Sequence, residues 1–518
     1  MDEEEKNTNA EPTEAEIDEA FGVEPNEEPE KPKETAEIIT SKPVKSKAPL
    51  VAITLGIVIF GLGVLSPITI QHLRGQNTNS SSNSEPSPVI LTPSLSTGIE
   101  TTLEEEEEEA TEVEETVISA ETGETVTTIR PKTRPAVNIN ANDDLVIKLL
   151  KLHNYNENSC ISPLSIRYAL AMMRDGANGE TREQIDAVLG SATIPRYENV
   201  EGHLAVANSL WARTDYADAI KPEFAETLRA NYGAEYKVDS FTSAANLNSW
   251  IETNSLGLLK DVIDDDFAVD LHAALVNVLA IDMEWALKFE PIGTRQSEFY
   301  SNRGFDNPST VAMMMETVNA TENISYFFAN DATVLALDLK EYNGTQLQFV
   351  SIMPTEKELQ EYISGLSMED LVRLTSGLTY AKAKNNSYYF TMSYYLPRFE
   401  ISSGIDDLIG DLKELGISNA FDEEAADFSN MVNGKFFIDR AVHKTKFDLS
   451  EEGIKAAAVT AFGGKGAAGP LVNRMIITIA INHPFLYLVR DKATGDIWFV
   501  GTVYDPTLWS SVSSQYNG

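Results

Sequence analysis

Cysteine is almost missing from this 518-residue chain: Cys160 is the only one. That excludes an intrachain disulfide and any paired-cysteine metal motif. Cys160 lies beside Ile161 in an apolar stretch, so a buried, inert thiol is expected there and not a nucleophile. Histidine is scarce as well, at positions 72, 153, 203, 272, 443 and 483, and no two stand at metal-ligand spacing. There is no G-x-S-x-G elbow, no H-E-x-x-H and no phosphate-binding glycine loop. No catalytic residue, metal or cofactor is therefore expected, although a triad assembled from distant positions would leave no local signature. Cations are few, 40 Lys and Arg against 80 Asp and Glu, for a net charge of −40. Phosphate neutralisation needs clustered Lys and Arg, so nucleic acid is not an expected partner.

The shortage of apolar residues is local. Residues 1–47 hold 15 acidic and 6 basic side chains with repeated Pro. Such a segment buries too little apolar surface to offset chain entropy and reads as a disordered acidic tail. Residues 71–137, rich in Ser and Thr and carrying the run Glu104–Glu109, read as a disordered, self-repelling spacer. Between them Leu50–Ile70 lacks any ionisable side chain for twenty-one residues. About 20 apolar residues cross a bilayer core, so residues 48–70 read as a transmembrane anchor. Lys42, Lys45 and Lys47 precede the run and only Arg74 follows closely. That bias keeps the N-terminus in the cytoplasm and sends the C-terminal bulk across the membrane. A cleaved signal peptide is the competing reading, but the run is too long and some forty residues precede it. The expectation is a single-pass cell-membrane protein with its globular part on the extracytoplasmic side.

The globular part, residues 138–506, precedes a short tail at 507–518. It mixes helical and strand patterns without a repeat. Leu145, Ile147, Leu149 and Leu150 open a helix, and Ile166–Met173 predicts a second after a Pro-containing turn. Leu275–Ile281 and Phe349–Met353 read as strands buried on both faces, and Met475–Ile481 as a β-branched strand before Pro484. Helices scattered among long strands indicate an α+β fold.

Ordered motifs then accumulate along this part. They are Ser162-Pro163-Leu164-Ser165-Ile166, Gly176-Ala177-Asn178-Gly179-Glu180-Thr181, Asn208-Ser209-Leu210-Trp211, and Leu275-Val276-Asn277 with Trp285 eight residues after the Asn. Leu396-Pro397-Arg398-Phe399, Ala426-Asp427-Phe428-Ser429 and Val442-His443-Lys444 follow. Near the end stands Glu451-Glu452-Gly453-Ile454-Lys455-Ala456-Ala457-Ala458-Val459-Thr460, then a glycine-rich stretch from Gly463 to Gly469, then Asn482-His483-Pro484-Phe485. From about Asn138 to Pro506 this layout resembles the serpins, the conformationally trapping protease inhibitors. The resemblance implies three β-sheets, surrounding helices and an exposed reactive-centre loop. It also implies a monomer that is not an enzyme but a bait for a serine protease, or alternatively a cysteine protease.

The resemblance assigns roles. Ser162, Ser165, Asn277 and His443 match the shutter, where the central sheet opens for a new strand. Trp285 and Glu451 match the breach, where insertion begins. Glu451 to Thr460 match the hinge. An inserted strand turns alternate side chains inward, and in the family register these are Ile454, Ala456, Ala458, Thr460 and Phe462, none of them charged. Lys455 falls in the outward set. Ile454 departs from the usual Thr or Ser, and the loop is longer than in familiar members. Family spacing from Gly453 puts the scissile bond at Ala467–Ala468, which suits an elastase-like or subtilisin-like protease with a shallow pocket. Lys465, Leu471 and Arg474 are the alternatives. A serpin-fold binding module, or a stalked surface adhesin, is the competing function.

Overall fold

The structure is a computed structural model that describes residues 54–64, 113–118, 125–130, 139, 144–190, 194–301, 307–319, 321–380, 389–454 and 474–516. Its organising element is Ala273–Ile281, nine residues buried without exception. The run contains one polar residue and lies between two apolar layers. Ala274, Val276, Val278 and Ala280 pack with Trp211, Trp250 and Ile251, while Ala273 and Leu275 join the helical core on the other face. A strand covered on both sides has no polar face, so it reads as a continuous apolar run instead of an alternating one.

Around it forms an eight-stranded sheet. Its order is Glu235–Asp239, Leu204–Arg213, Ala273–Ile281, Thr54–Val64, Phe436–Ser450, Gly453–Ile454 and Met283–Glu284, with Phe399–Ile405 also paired to Phe436–Ser450. A second sheet of seven strands runs from Thr379–Tyr380 through Leu347–Pro354 and Phe485–Asp491 to Ser159–Ile161. A third has four, in the order Arg474–Ala480, Tyr389–Pro397, Ser309–Asn319 and Arg295–Phe299. Helices pack around them, including Pro163–Gly176, almost wholly buried, and Ala245–Asn254, which covers one face of the first sheet. The expected helices and buried strands all appear: Asp144–Leu152, Pro163–Gly176, Ala273–Ile281, Leu347–Pro354 and Arg474–Ala480. The expected α+β architecture of three main sheets with helices around them is present. The remaining sheet is a hairpin of Val113–Ile118 and Thr125–Arg130, which lies inside the stretch read as a spacer.

The membrane assignment is corrected here. Among the described residues no helix is long and apolar enough to cross a membrane. Eleven residues of the charge-free run, Thr54–Val64, instead form a strand paired antiparallel to Ala273–Ile281 on one side and to Phe436–Ser450 on the other. The single-pass anchor and the membrane location inferred from it therefore fail. Length and lack of charge are shared by a spanning helix and by a strand buried in mid-sheet, so hydropathy does not separate the two. Thr54, Ile57, Val58, Ile59 and Val64 are β-branched, which suits the strand that forms.

Candidate functional site: a strand slot, its shutter and its breach

The site is built where Ala273–Ile281 and Phe436–Ser450 flank a single strand position in the largest sheet. Helix Pro163–Gly176 reaches the underside. Ser162 caps it, its side chain accepting from the Ser165 backbone N–H, and Pro163 supplies a preset first turn. That cap fixes Ser165 so that its hydroxyl donates to Asn277 Oδ1. Asn277 Nδ2 donates to Asn208 Oδ1 at 2.8 Å, and Asn208 Nδ2 continues to the Tyr232 carbonyl at 2.9 Å. On the other flank, the Ser162 backbone N–H donates to His443 Nε2 at 3.2 Å, which assigns the ring proton to Nδ1. The Ser162 hydroxyl donates to the Trp498 carbonyl at 2.8 Å. Ser162, Ser165, Asn277 and His443 are all fully buried.

The four expected shutter residues thus converge on one place, in two arms. Asn277 and His443 stand on either side of the slot, both opposite Val58 in register. Asn208, absent from the expected set, completes one arm. Its signal was its place at the head of Asn208-Ser209-Leu210-Trp211, a strand that pairs Asn208 with Asn277. Below the shutter, Thr445 Oγ1 and Ser403 Oγ both donate to the Cys160 carbonyl, at 2.7 and 2.9 Å. Burial pushes the Cys160 thiol up to about 12, consistent with the inert role expected of it.

At the upper end the long strand turns at Glu451-Glu452, and Gly453–Ile454 re-enters the sheet. Ile454 pairs with Leu449 on one side and Met283 on the other. Gly453 has φ +151°, and a Cβ there would meet the Met283 carbonyl oxygen at 2.2 Å. Only glycine lets the chain through so narrow a mouth. Trp285 closes the top: its indole N–H donates to the Ser450 carbonyl at 2.8 Å, and its backbone N–H to the Glu452 carbonyl at 3.0 Å.

Glu451 is buried, and its Oε1 accepts from Thr294 Oγ1 at 2.6 Å and from the Tyr516 hydroxyl. Arg398 Nη1 lies 3.6 Å from Glu451 Oε2 and donates to the Tyr516 oxygen. Burial, with Glu451 beside it, raises the Tyr516 phenol well above its ordinary range. Glu452 is bridged by Lys288 at 2.7 Å, which also holds Glu284 at 2.6 Å. The two residues that sequence reasoning assigned here, Trp285 and Glu451, both lie at this end; it assigned no role to Thr294, Arg398 or Tyr516, the last of which comes from the C-terminal tail. The hinge residues Lys455, Ala456, Ala457, Ala458, Val459 and Thr460 lie outside the described residues, as do Ala467 and Ala468.

Three sheets with helices around them, and buried polar side chains from Ser162 to His443 joined beneath the central strands of the largest, define the class of the fold. The family pattern of Serpin (serine protease inhibitor) matches residues 140–506, and the chain belongs to that family. It is similar to human neuroserpin, 27% identical over 390 residues covering 71% of this chain and 90% of that protein. It is similar as well to the horse leukocyte elastase inhibitor, 26% identical over 397 residues covering 71% and 98%. Among solved structures, the thermophilic serpin Tengpin in its native state superposes with a TM-score of 0.56 at 25% identity, covering 72% of this chain and 97% of its own.

Proposed function

We propose that the chain inhibits serine proteases as a suicide substrate. The protease attacks a bond in the segment between Ile454 and Arg474 and is acylated, and the freed segment then enters the sheet as a strand. Added backbone hydrogen bonds and buried side chains drive the step, and the attached protease is carried along and deformed. The observation that carries this reading is the hinge itself. Gly453–Ile454 is already paired on both sides at the mouth of the slot, and the next residues, Lys455-Ala456-Ala457-Ala458, place no charge at an inward position. A segment meant only for display would not need to begin inside the sheet.

An elastase-like or subtilisin-like target suits the small residues around Ala467, and one relative is named for leukocyte elastase. The test is incubation with pancreatic elastase and with subtilisin. A complex that survives SDS, with loss of a C-terminal fragment, supports inhibition. Clean cleavage with no complex by these two and by trypsin, in the parent and in Val58→Pro alike, would favour a non-inhibitory binding module.

A further inference from the structure

The slot that the reactive segment needs already holds Thr54–Val64. Leu55 pairs with Ala280 on one flank and Lys446 on the other. Ile454, the last hinge residue in the sheet, pairs with Met283 and Leu449. Continuing that antiparallel register by three residues would put Ala457 opposite the same Ala280 and Lys446. Both flanks give the same answer from Leu55 to Gly61, so these stand in the places that Ala457 to Gly463 would take; beyond Gly61 the register against Phe436–Ser450 shifts by one residue.

The two segments also match in sequence at that alignment. One reads Thr-Leu-Gly-Ile-Val-Ile-Phe-Gly-Leu, the other Ala-Ala-Ala-Val-Thr-Ala-Phe-Gly-Gly. Gly56 answers Ala458, both small. Ile57 answers Val459 and Val58 answers Thr460, all four β-branched and the second pair nearly isosteric. Phe60-Gly61 answers Phe462-Gly463 identically. Pairing in the structure and likeness in the sequence choose the same register.

We propose that Thr54–Val64 is an internal mimic of the reactive segment, which occupies its slot and competes with it for the sheet. With the mimic in place, a protease that cuts the loop is released, because the loop cannot enter. Trapping requires the mimic to leave. The mimic is the more apolar of the two in sequence, with Leu55, Ile59 and Leu62 where the loop has Ala457, Ala461 and Gly464.

The test uses the full chain carrying Ile57→Cys and Lys444→Cys. These positions are register partners, Lys444 is exposed, and the one native cysteine is buried. Directly opposed antiparallel residues lie within disulfide range. Oxidation is expected to link them within one chain. The linked chain should be cut by pancreatic elastase without forming SDS-stable complex, and reduction should raise the complex yield by about tenfold or more, because the cross-link removes the competent state. A second variant, Val58→Pro, weakens the mimic strand without any cross-link and should raise the yield above that of the parent. Failure of the cysteines to link in the folded chain, or equal trapping in the linked and reduced forms, overturns the proposal.

The inference rests on the inhibitory reading, so a second readout separates the two. The thermal midpoint of the loop-nicked chain should rise on reduction and stay unchanged while linked. If nothing traps but this difference is seen, slot competition stands and the inhibitory reading falls. If nicking shifts the midpoint equally in both redox states, slot competition falls.

Discussion

Asn277 uses both ends of its amide inside the core, accepting from Ser165 and donating to Asn208. Asn277→Ala would leave two buried partners unsatisfied, each costing about 1–3 kcal/mol. Urea unfolding should show a loss of about 2–5 kcal/mol, whereas Asn433→Ala, on the surface, should change little. Asp448 offers a pH test. Burial, with Arg398 opposing and Glu400 reinforcing, raises its carboxyl to about 6, and Lys446 and Glu451 face it too. A raised acid binds its proton more tightly when folded, so its contribution is absent below about pH 4 and becomes a growing penalty as pH rises to about 6. Asp448→Asn should remove that slope and add up to about 3 kcal/mol at neutral pH, read as the difference between the two proteins' unfolding curves at pH 4 and 7. At this scale the sequence was most informative where a polar residue interrupts an apolar run, as Asn277 does. It was silent where partners meet across long separations, as Thr294, Arg398 and Tyr516 do around Glu451, because no spacing rule links residues brought together only by the tertiary fold.

Between residue and molecule lies the proposed hinge, whose uncharged inward set would let it insert and makes the proposal easy to test by substitution. Ala456→Arg puts a charge on an inward position, with a desolvation cost of several kcal/mol. The variant should be cleaved by elastase at the parent's rate yet form little SDS-stable complex, so the ratio of cleaved product to complex rises steeply on a gel. Equal trapping would show that the inward register begins elsewhere. Lys455 is a different case. The register extended from Ile454 would set it between Asp282 and Asp448, so an inserted strand would gain an ion pair at its first outward position. Elements with one strong pattern were legible from sequence: the capped helix at Pro163, the all-apolar strand Ala273–Ile281, the β-branched Arg474–Ala480. The misreading of Thr54–Val64 arose because an uncharged strand in mid-sheet and a spanning helix satisfy the same hydropathy rule.

For the whole molecule the proposed inhibition turns on where a protease cuts, because that would set how much strand is freed to enter the sheet. From Gly453 to Ala467 is fourteen residues, and the long strand beside the slot, Phe436–Ser450, is fifteen residues long. A cut after Ala467 therefore releases a segment nearly matched to the sheet, so the attached protease would be drawn to its far end. A cut after Arg474 would free seven more residues than the slot has partners for and leave the protease loosely tethered. Ala467 is accordingly the expected site of acylation, and its methyl side chain fits a shallow pocket. Mass spectrometry of the C-terminal fragment released from the complex should give Ala468 as its new N-terminus. A start at Gly466, Val472 or Met475 would assign the bait to Lys465, Leu471 or Arg474. Ala467→Arg should then transfer inhibition from elastase to trypsin at unchanged complex stability. A variant still directed at elastase alone would mean that the glycines around this bond let the loop dock in another register.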